Sequence, residues 1–389
     1  MAGHIAVLRD DKGKTIGYRA RWRDPAGRHR EKRFATRRQA TDHLALVAAD
    51  IRRGDYLDPD RGTMLLREVA AEWQSVQVTQ RPSTLDGYDA ALRVHVLPFL
   101  GDRQVCSISP HDVRRFIAHL AQQGKSAGTI RNSYRVLKPV LDTAVDLGCI
   151  RRNPCGPLKR GSLPPASRQE MLFLSGPQVA QLADALPVPY GTLVYLAAYT
   201  GMRAGEIAAL RMPNLDLLRG RLRVVESLSE IGAKQFIVPP KTGEQRDILL
   251  PAFLVRMLER HIAEHPPVHG YLFTGRPPRG RELSTNHADH RLRHSSWFYP
   301  HVYKPAVRRS GLDPALRFHD LRHTCASLLI ERNVQMKAIS RQLGHSTIQI
   351  TMDRYGHLLP SVEEKMAGAL DEAFHEALQT RPHAPRRLA

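Results

Sequence analysis

Two segments rich in proline, glycine and charged residues, 56–62 and 156–167, cut the chain where its apolar pattern changes period. Before the first, apolar and polar residues alternate over 4–9, 17–23 and 28–34, the period of half-buried strands. Asp10-Asp11-Lys12-Gly13 and Asp24-Pro25-Ala26-Gly27 supply turn residues between them. Thr36 then stands as a helix N-cap, with Ala40, Leu44, Val47, Ala48 and Ile51 at helical spacing. Such punctuation rules out one continuous sheet or bundle. The expected domains are 1–62, 63–160 and 168–359, followed by a terminal helix and tail over 360–389.

The middle unit reads as wholly helical. Leu66, Val69, Ala70 and Trp73 form one apolar stripe. Ser83-Thr84 opens a second helix, which Pro98 and Gly101 are expected to stop. Ser109-Pro110 caps a third, and 126–147 gives a fourth around Ile130, Tyr134, Leu137, Val140, Leu141 and Val145. The third unit mixes helices at 176–186, 192–199, 204–211, 252–264, 286–293, 300–310, 319–332, 335–343 and 348–354 with strands at 221–225, 235–239 and 247–250. In the tail, Ser361 and Glu364 suit a capping box, and Met366, Leu370, Phe374 and Leu378 make a clean stripe. That stripe needs a cover, either its own domain or a neighbouring protomer. The fold class is mainly α with small β-sheets.

Charge narrows the partner. The 389 residues carry 58 Lys and Arg against 38 Asp and Glu, a formal charge of +20, so a polyanion is the natural ligand class. Arg19, Arg21 and Arg23 alternate onto one face of a strand. Arg131, Arg135 and Lys138 lie on the outer side of the fourth helix, as a phosphate track or a solvated face. No apolar run approaches the ~20 residues a membrane span needs, and the N-terminus lacks a signal-peptide layout. The cysteines show no CxxC spacing, which suits a reduced bacterial cytoplasm and argues against a Cys-type zinc finger.

Four pieces carry chemistry: Thr200-Gly201-Met202-Arg203-Ala204-Gly205-Glu206, the turn Pro240-Lys241-Thr242-Gly243, His319-Asp320-Leu321-Arg322-His323, and Leu343-Gly344-His345 with Tyr355 beyond. Each alone reads as a turn or a helix end. His319 and His323 share a helical face, as metal ligands do, but the intervening Glu of that motif is missing and no third ligand is evident. His287, His290 and His294 likewise read as a solvated or DNA-facing stripe. Together, two arginines, a lysine, two histidines and a tyrosine are a set for phosphoryl transfer. Guanidinium forks match phosphate oxygens and stay charged. Fixed donors stabilise the extra transition-state charge. Tyrosine is a weak nucleophile without such help, and lysine or histidine can protonate the leaving oxygen.

The ordered set resembles the tyrosine recombinases of the phage-integrase family. The resemblance places the family's first Arg on Arg203, with Glu206 as its helix-mate, its hairpin Lys on Lys241, its His-x-x-Arg on His319 and Arg322, its second His on His345 and its nucleophile on Tyr355. Arg81-Pro82-Ser83-Thr84, Leu97-Pro98-Phe99-Leu100-Gly101 and Arg152-Asn153-Pro154 resemble the core-binding, SAM-like domain, and 1–62 the arm-binding domain. The resemblance implies a site-specific integrase that cuts and rejoins double-stranded DNA through a 3′-phosphotyrosine, with neither metal nor cofactor nor ATP. It implies a homotetramer on core and arm sites, with a directionality factor or DNA-bending protein as further partners and no membrane. Glu206 and Asp320 would orient the basic groups. A tyrosine-type topoisomerase and a non-enzymatic DNA-binding regulator are the alternatives. A metal-dependent nuclease would need a carboxylate cluster that the sequence lacks.

Overall fold

The alternating segments pair as an antiparallel sheet in the order β1 (His4–Arg9), β2 (Thr15–Arg23), β3 (His29–Phe34). The computed structural model describes residues 3–25, 27–54, 56, 61–156, 162–165, 170–232, 234–241, 243–275, 291–359 and 362–379, without the side chains of 362–365 and 377–379. Helix α1 (Arg37–Arg53) covers one sheet face, burying Ala40 and Val47 beside Ala20 and Trp22. Thr36 caps it in a reciprocal box with Gln39, as the sequence suggests. Arg19, Arg21 and Arg23 alternate with the buried Ala20 and Trp22, so they point to the opposite face. There they stand across from Arg33, Glu31 and His29, with Glu31 3.3 Å from Arg21 and 3.6 Å from Arg19.

Two compact units, Met1–Arg168 and Gln169–Ala389, make up the chain. In the first, Asp50 of α1 accepts from both Arg53 and Arg151, tying that helix to the segment that follows the helical part. That part comprises α2 (Leu66–Ser75), α3 (Pro82–Ala91), α4 (Leu97–Leu100), α5 (Pro110–Gln122) and α6 (Ala127–Asp146). Leu66, Trp73, Ile130, Leu137 and Leu141 lie in its core, on the stripes read from the sequence, and Phe116 of α5 joins them. Asp112 caps the start of α5 with Ser109, and Arg103 beside it holds the carboxyl well below the usual carboxylate range.

Pro98 does not stop its helix. Residues Leu92–Val96 widen into a π-helical turn, with Leu97 N–H reaching Leu92 C=O, and α4 continues past the proline. The widened turn makes room for the proline ring, so its missing N–H removes one bond of the ladder without ending the helix. The basic side of α6 also differs from a bare track. Arg131 Nε donates to Pro164 C=O at 2.8 Å and Lys138 pairs with Asp142 at 3.2 Å, whereas Arg135 is exposed.

The second unit contains α7 (Gly176–Asp184), α8 (Gly191–Thr200), α9 (Ala204–Ala208), β4 (Leu215–Asp216), β5 (Arg221–Val224), β6 (Ser227–Ile231), β7 (Lys234–Val238), β8 (Arg246–Leu249) and α10 (Ala252–Glu264). It continues with α11 (Lys304–Arg309), α12 (Asp320–Glu331), α13 (Met336–Leu343), α14 (Ile348–Tyr355) and α15 (Val362–Gln379). The strands form a sheet β4-β5-β8 and a hairpin β6-β7. Helix α8, apolar nearly all round, lies at the centre against α7, α10 and α12.

Three sequence expectations change here. Helix α9 ends at Ala208, short of 211. The helix expected over 300–310 begins earlier, as a π-helical stretch His294–Tyr303 leading into α11. Glu230 accepts from the N–H groups of Ser295 and Ser296 at its start. Of the helix expected at 286–293, residues 291–293 are not helical and Arg291 bridges Thr274, while 286–290, with His287 and His290, lie outside the described residues. Ser361 and the Glu364 side chain of the expected capping box also lie outside them. On α15, Met366, Leu370 and Phe374 are 58%, 69% and 61% exposed, so the stripe does not pack on its own unit. Among the described residues, no helix is long and apolar enough to cross a membrane.

Candidate active site

Glycines place the functional side chains. Gly201 ends α8 at φ 69°, and a Cβ there would lie 2.4 Å from Leu343 Cδ2, so the turn that presents Arg203 needs glycine for both backbone and space. Glu206, at the third position of α9, reaches back to accept from Arg203 N–H at 3.0 Å. Lys241 sits in the turn between β7 and β8, closed by Gly243 N–H on Pro240 C=O at 2.8 Å. Gly344, at φ 64°, ends α13 and turns the chain to present His345.

The end of α13 collects arginines. Arg246 Nε donates to Gln342 C=O at 3.1 Å, Arg322 Nη2 to Leu343 C=O at 2.5 Å, and Arg203 Nη2 to Gly344 C=O at 3.3 Å. A helix C-terminus leaves carbonyls without partners and carries partial negative charge, so it attracts cations. Three consecutive carbonyls thus fix three guanidiniums. Arg322 also donates to Gly201 C=O at 2.6 Å, which joins the first motif to the last. Glu206, 1% exposed, accepts from Arg203 Nη1 at 2.8 Å and from Arg246 at 3.1 and 2.6 Å. Burial alone would raise its carboxyl, but Arg246 and Arg203 outweigh it and hold the group at about 2. One carboxylate among three arginines leaves the region cationic.

A cavity of about 480 Å³ opens beside these groups, lined by Arg203, Lys241, His319, Arg322, His345 and Arg354. Five of the six sequence candidates share it. Burial and the neighbouring cations push Arg322 down to about 9, which leaves it protonated at neutral pH. The same causes push His345 down to about 3, so the ring is neutral, with Nδ1 2.8 Å from Thr351 Oγ1. His319 is pushed down to about 4 by desolvation and then by the nearby His323 and Arg322.

Tyr355 does not line the cavity. Its side chain is fully buried among Ala326, Ile330, Ile339 and Leu343, and its hydroxyl lies 2.7 Å from His323 Nδ1. Burial lowers His323 to about 4, so a neutral ring stands against the phenol oxygen. Burial also pushes Tyr355 up to about 12, against the pull of Arg322 and Arg354. The hydroxyl is held protonated and turned inward. Sequence reasoning weighed His323 only as a metal partner of His319 and missed this contact; Arg354 on the cavity wall was missed as well. Among the described residues, no group of three or more His, Cys, Asp or Glu could hold a metal ion.

Asp320 departs from its expected role. Its carboxylate accepts from Arg317 N–H at 2.7 Å, Nε at 3.1 Å and Nη2 at 2.7 Å, so it braces the first turn of α12 instead of orienting the arginines or histidines of the cavity.

Acid should loosen this arrangement in order. His319, His323 and His345 lie at about 4, 4 and 3 against an ordinary 6.5, so the stability they contribute is complete above 6.5 and lost as pH falls toward those values. Glu206, at about 2 against 4.5, follows below pH 4.5. The melting temperature of the full chain is expected to fall steadily below pH 6.5, and His323→Gln to flatten that slope between pH 6.5 and 4. An unchanged slope in the variant would remove His323 from the account.

Comparisons with known proteins give the family. Residues 173–361 match the phage integrase family and residues 65–121 match the phage integrase N-terminal SAM-like domain, together more than half of the chain. A tyrosine recombinase XerC-like protein of Caldanaerobacter subterraneus is 27% identical over 95% of both chains. The Tn1549 transposon integrase, solved with a circular intermediate DNA, has a TM-score of 0.65 at 19% identity, covering 78% of this chain and 99% of that one. A lambda integrase tetramer bound to a Holliday junction has a TM-score of 0.54 at 16% identity, covering 88% and 95%. The chain belongs to the phage integrase family and is a tyrosine recombinase, an enzyme of site-specific DNA strand exchange.

Proposed function

We propose that this recombinase integrates or excises a mobile element, cutting and rejoining each strand through Tyr355. The observation that carries the reading is the single cavity that gathers Arg203, Lys241, His319, Arg322 and His345. Arg203 and Arg322 hold the non-bridging oxygens of the scissile phosphate, each with donors beyond those bound to backbone carbonyls. With Nδ1 of His345 held against Thr351 Oγ1, Nε2 is the ring nitrogen left to carry the proton and donate a further hydrogen bond. Tyr355 leaves His323, attacks phosphorus in line, and bonds to the 3′ side. The 5′ oxygen departs with a proton from Lys241 while His319 takes the phenol proton. The partner strand's 5′-hydroxyl then attacks the phosphotyrosine, returning a proton to Lys241 as His319 reprotonates the released Tyr355. One phosphodiester replaces another, so the steps balance without ATP.

Residues 1–62 bind arm sites through Arg19, Arg21 and Arg23, and 63–160 bind the core site with Arg135 and Lys138 near the backbone. Arg131 acts indirectly, by holding the linker at Pro164. Four protomers assemble on two core sites in the bacterial cytoplasm, at the nucleoid, with a directionality or DNA-bending protein setting the outcome. Two plasmids bearing a duplex selected for covalent capture test the reading: recombinant junctions support it, and relaxation alone marks a topoisomerase.

The exposed stripe of α15 docks on a neighbouring protomer. Met366, Leu370 and Phe374 are the anchors, and losing an interface anchor of this kind costs about 2 kcal/mol or more. Removing residues 361–389 is expected to leave single-site binding intact and to abolish pairing of two sites in a gel-shift assay. A truncated chain that still pairs and recombines sites at the normal rate would refute the docking role.

A further inference from the structure

Arg246 is tied into the site yet does not line its cavity. It opens β8, just beyond the turn that bears Lys241, and its side chain is only 8% exposed. Its guanidinium makes three hydrogen bonds, two to the Glu206 carboxylate and one to Gln342 C=O. A Cβ on Gly344 would come within 3.0 Å of it, so it also fills the space under the turn that presents His345. One side chain therefore joins α9, the Lys241 turn and the end of α13.

We infer that Arg246 is a positioning residue that keeps Arg203 available to the phosphate by occupying most of the Glu206 carboxylate. Glu206 Oε1 is shared between Arg203 and Arg246, and Oε2 takes Arg246 and the Arg203 backbone N–H. Without Arg246, a buried carboxylate would face a single guanidinium. Such a charge is costly unless fully paired, and the strongest pairing open to it is the bidentate fork. Arg203 would be drawn onto both oxygens, and its Nη2 would leave Gly344 C=O and the cavity. The turn at Gly344 would lose two of its arginine contacts at once. Lysine cannot replace Arg246 fully, because one ammonium cannot span the carboxylate and the Gln342 carbonyl in fork geometry.

The inference rests on Arg203 acting at the phosphate, and the test separates the two. The full chain, Arg246→Met, Arg246→Lys, Glu206→Gln and the double variant Arg246→Met/Glu206→Gln are compared on a nicked duplex selected for covalent capture by the unaltered chain. Adduct formation is followed in a single turnover, and binding by fluorescence anisotropy. Arg246→Met is expected to slow adduct formation about 10- to 100-fold with affinity held within about twofold, and Arg246→Lys to recover part of the rate. The double variant should react faster than Arg246→Met, because the neutral amide no longer captures Arg203. A merely structural contact would make the double variant slower than either single one. That result, a normal rate in Arg246→Met, or a loss of affinity matching the loss of rate would overturn the proposal. If Arg246→Met does not fold, Arg246→Lys with and without Glu206→Gln carries the same comparison. Undiminished adduct formation by Arg203→Ala on the same duplex would instead overturn the role of Arg203.

Discussion

Tyr355→Phe is expected to bind its DNA as the unaltered chain does and to form no covalent adduct at all. The substitution removes one oxygen and keeps the ring that packs among Ala326, Ile330, Ile339 and Leu343. The hydroxyl's contact is with His323, so the loss leaves one histidine nitrogen without its partner and little else disturbed. That penalty, about 1–3 kcal/mol for a buried polar group, bears on stability and not on the DNA surface. Gel shift and denaturing electrophoresis on the selected nicked duplex check both halves. An adduct in this variant would assign the nucleophile elsewhere.

Arg322→Ala should cost the rate and the fold together, whereas Arg203→Ala should cost mainly the rate. Arg322 is 2% exposed and serves Gly201 C=O and Leu343 C=O, two backbone carbonyls that its removal would strand. Leaving buried acceptors unpaired costs about 1–3 kcal/mol each. Arg203 is partly exposed, and the single carbonyl it serves lies at 3.3 Å. The Glu206 carboxylate it also pairs with keeps two hydrogen bonds from Arg246 when Arg203 is lost. Either loss deletes a preorganised donor, worth on the order of 10²–10³ in rate. Affinity should change little, since each is one among many phosphate contacts. Melting curves beside single-turnover rates separate the pair: a marked fall in melting temperature for Arg322→Ala only, and a similar rate loss for both. An equal fall in melting temperature would contradict the assignment of the two carbonyls to Arg322.

Local pattern carried most of the fold. The apolar stripes of α2 and α6 repeat at helical spacing and bury as that spacing requires. The strands that escaped notice were β4, with only Leu215 and Asp216, and β6, Ser227–Ile231, whose polar residues mask its pairing with β7. The π-helical turn before Pro98 was equally hidden, because the sequence marks a proline but not a widened ladder that admits it.

The site was legible as a list and not as a geometry. Arg203, Lys241, His319, Arg322 and His345 stand out by residue type, order and resemblance, and the cavity collects them. What their neighbours do depends on packing between distant segments. Tyr355 meets His323 across 32 residues, and Arg246 meets Gln342 across 96. No spacing rule reaches that far. Asp320 shows the converse: its place in the motif suggested a partner among the catalytic groups, and Arg317, three residues away, takes its carboxylate instead.

The most direct test of the account is to trap the unaltered chain on the selected nicked duplex, with chelator present, and to map the adduct by proteolysis and mass spectrometry. The account predicts one modified peptide, with Tyr355 joined to a 3′ nucleotide and a free 5′-hydroxyl on the released strand. A 5′ linkage, an adduct on another residue, or cleavage with no adduct would contradict it.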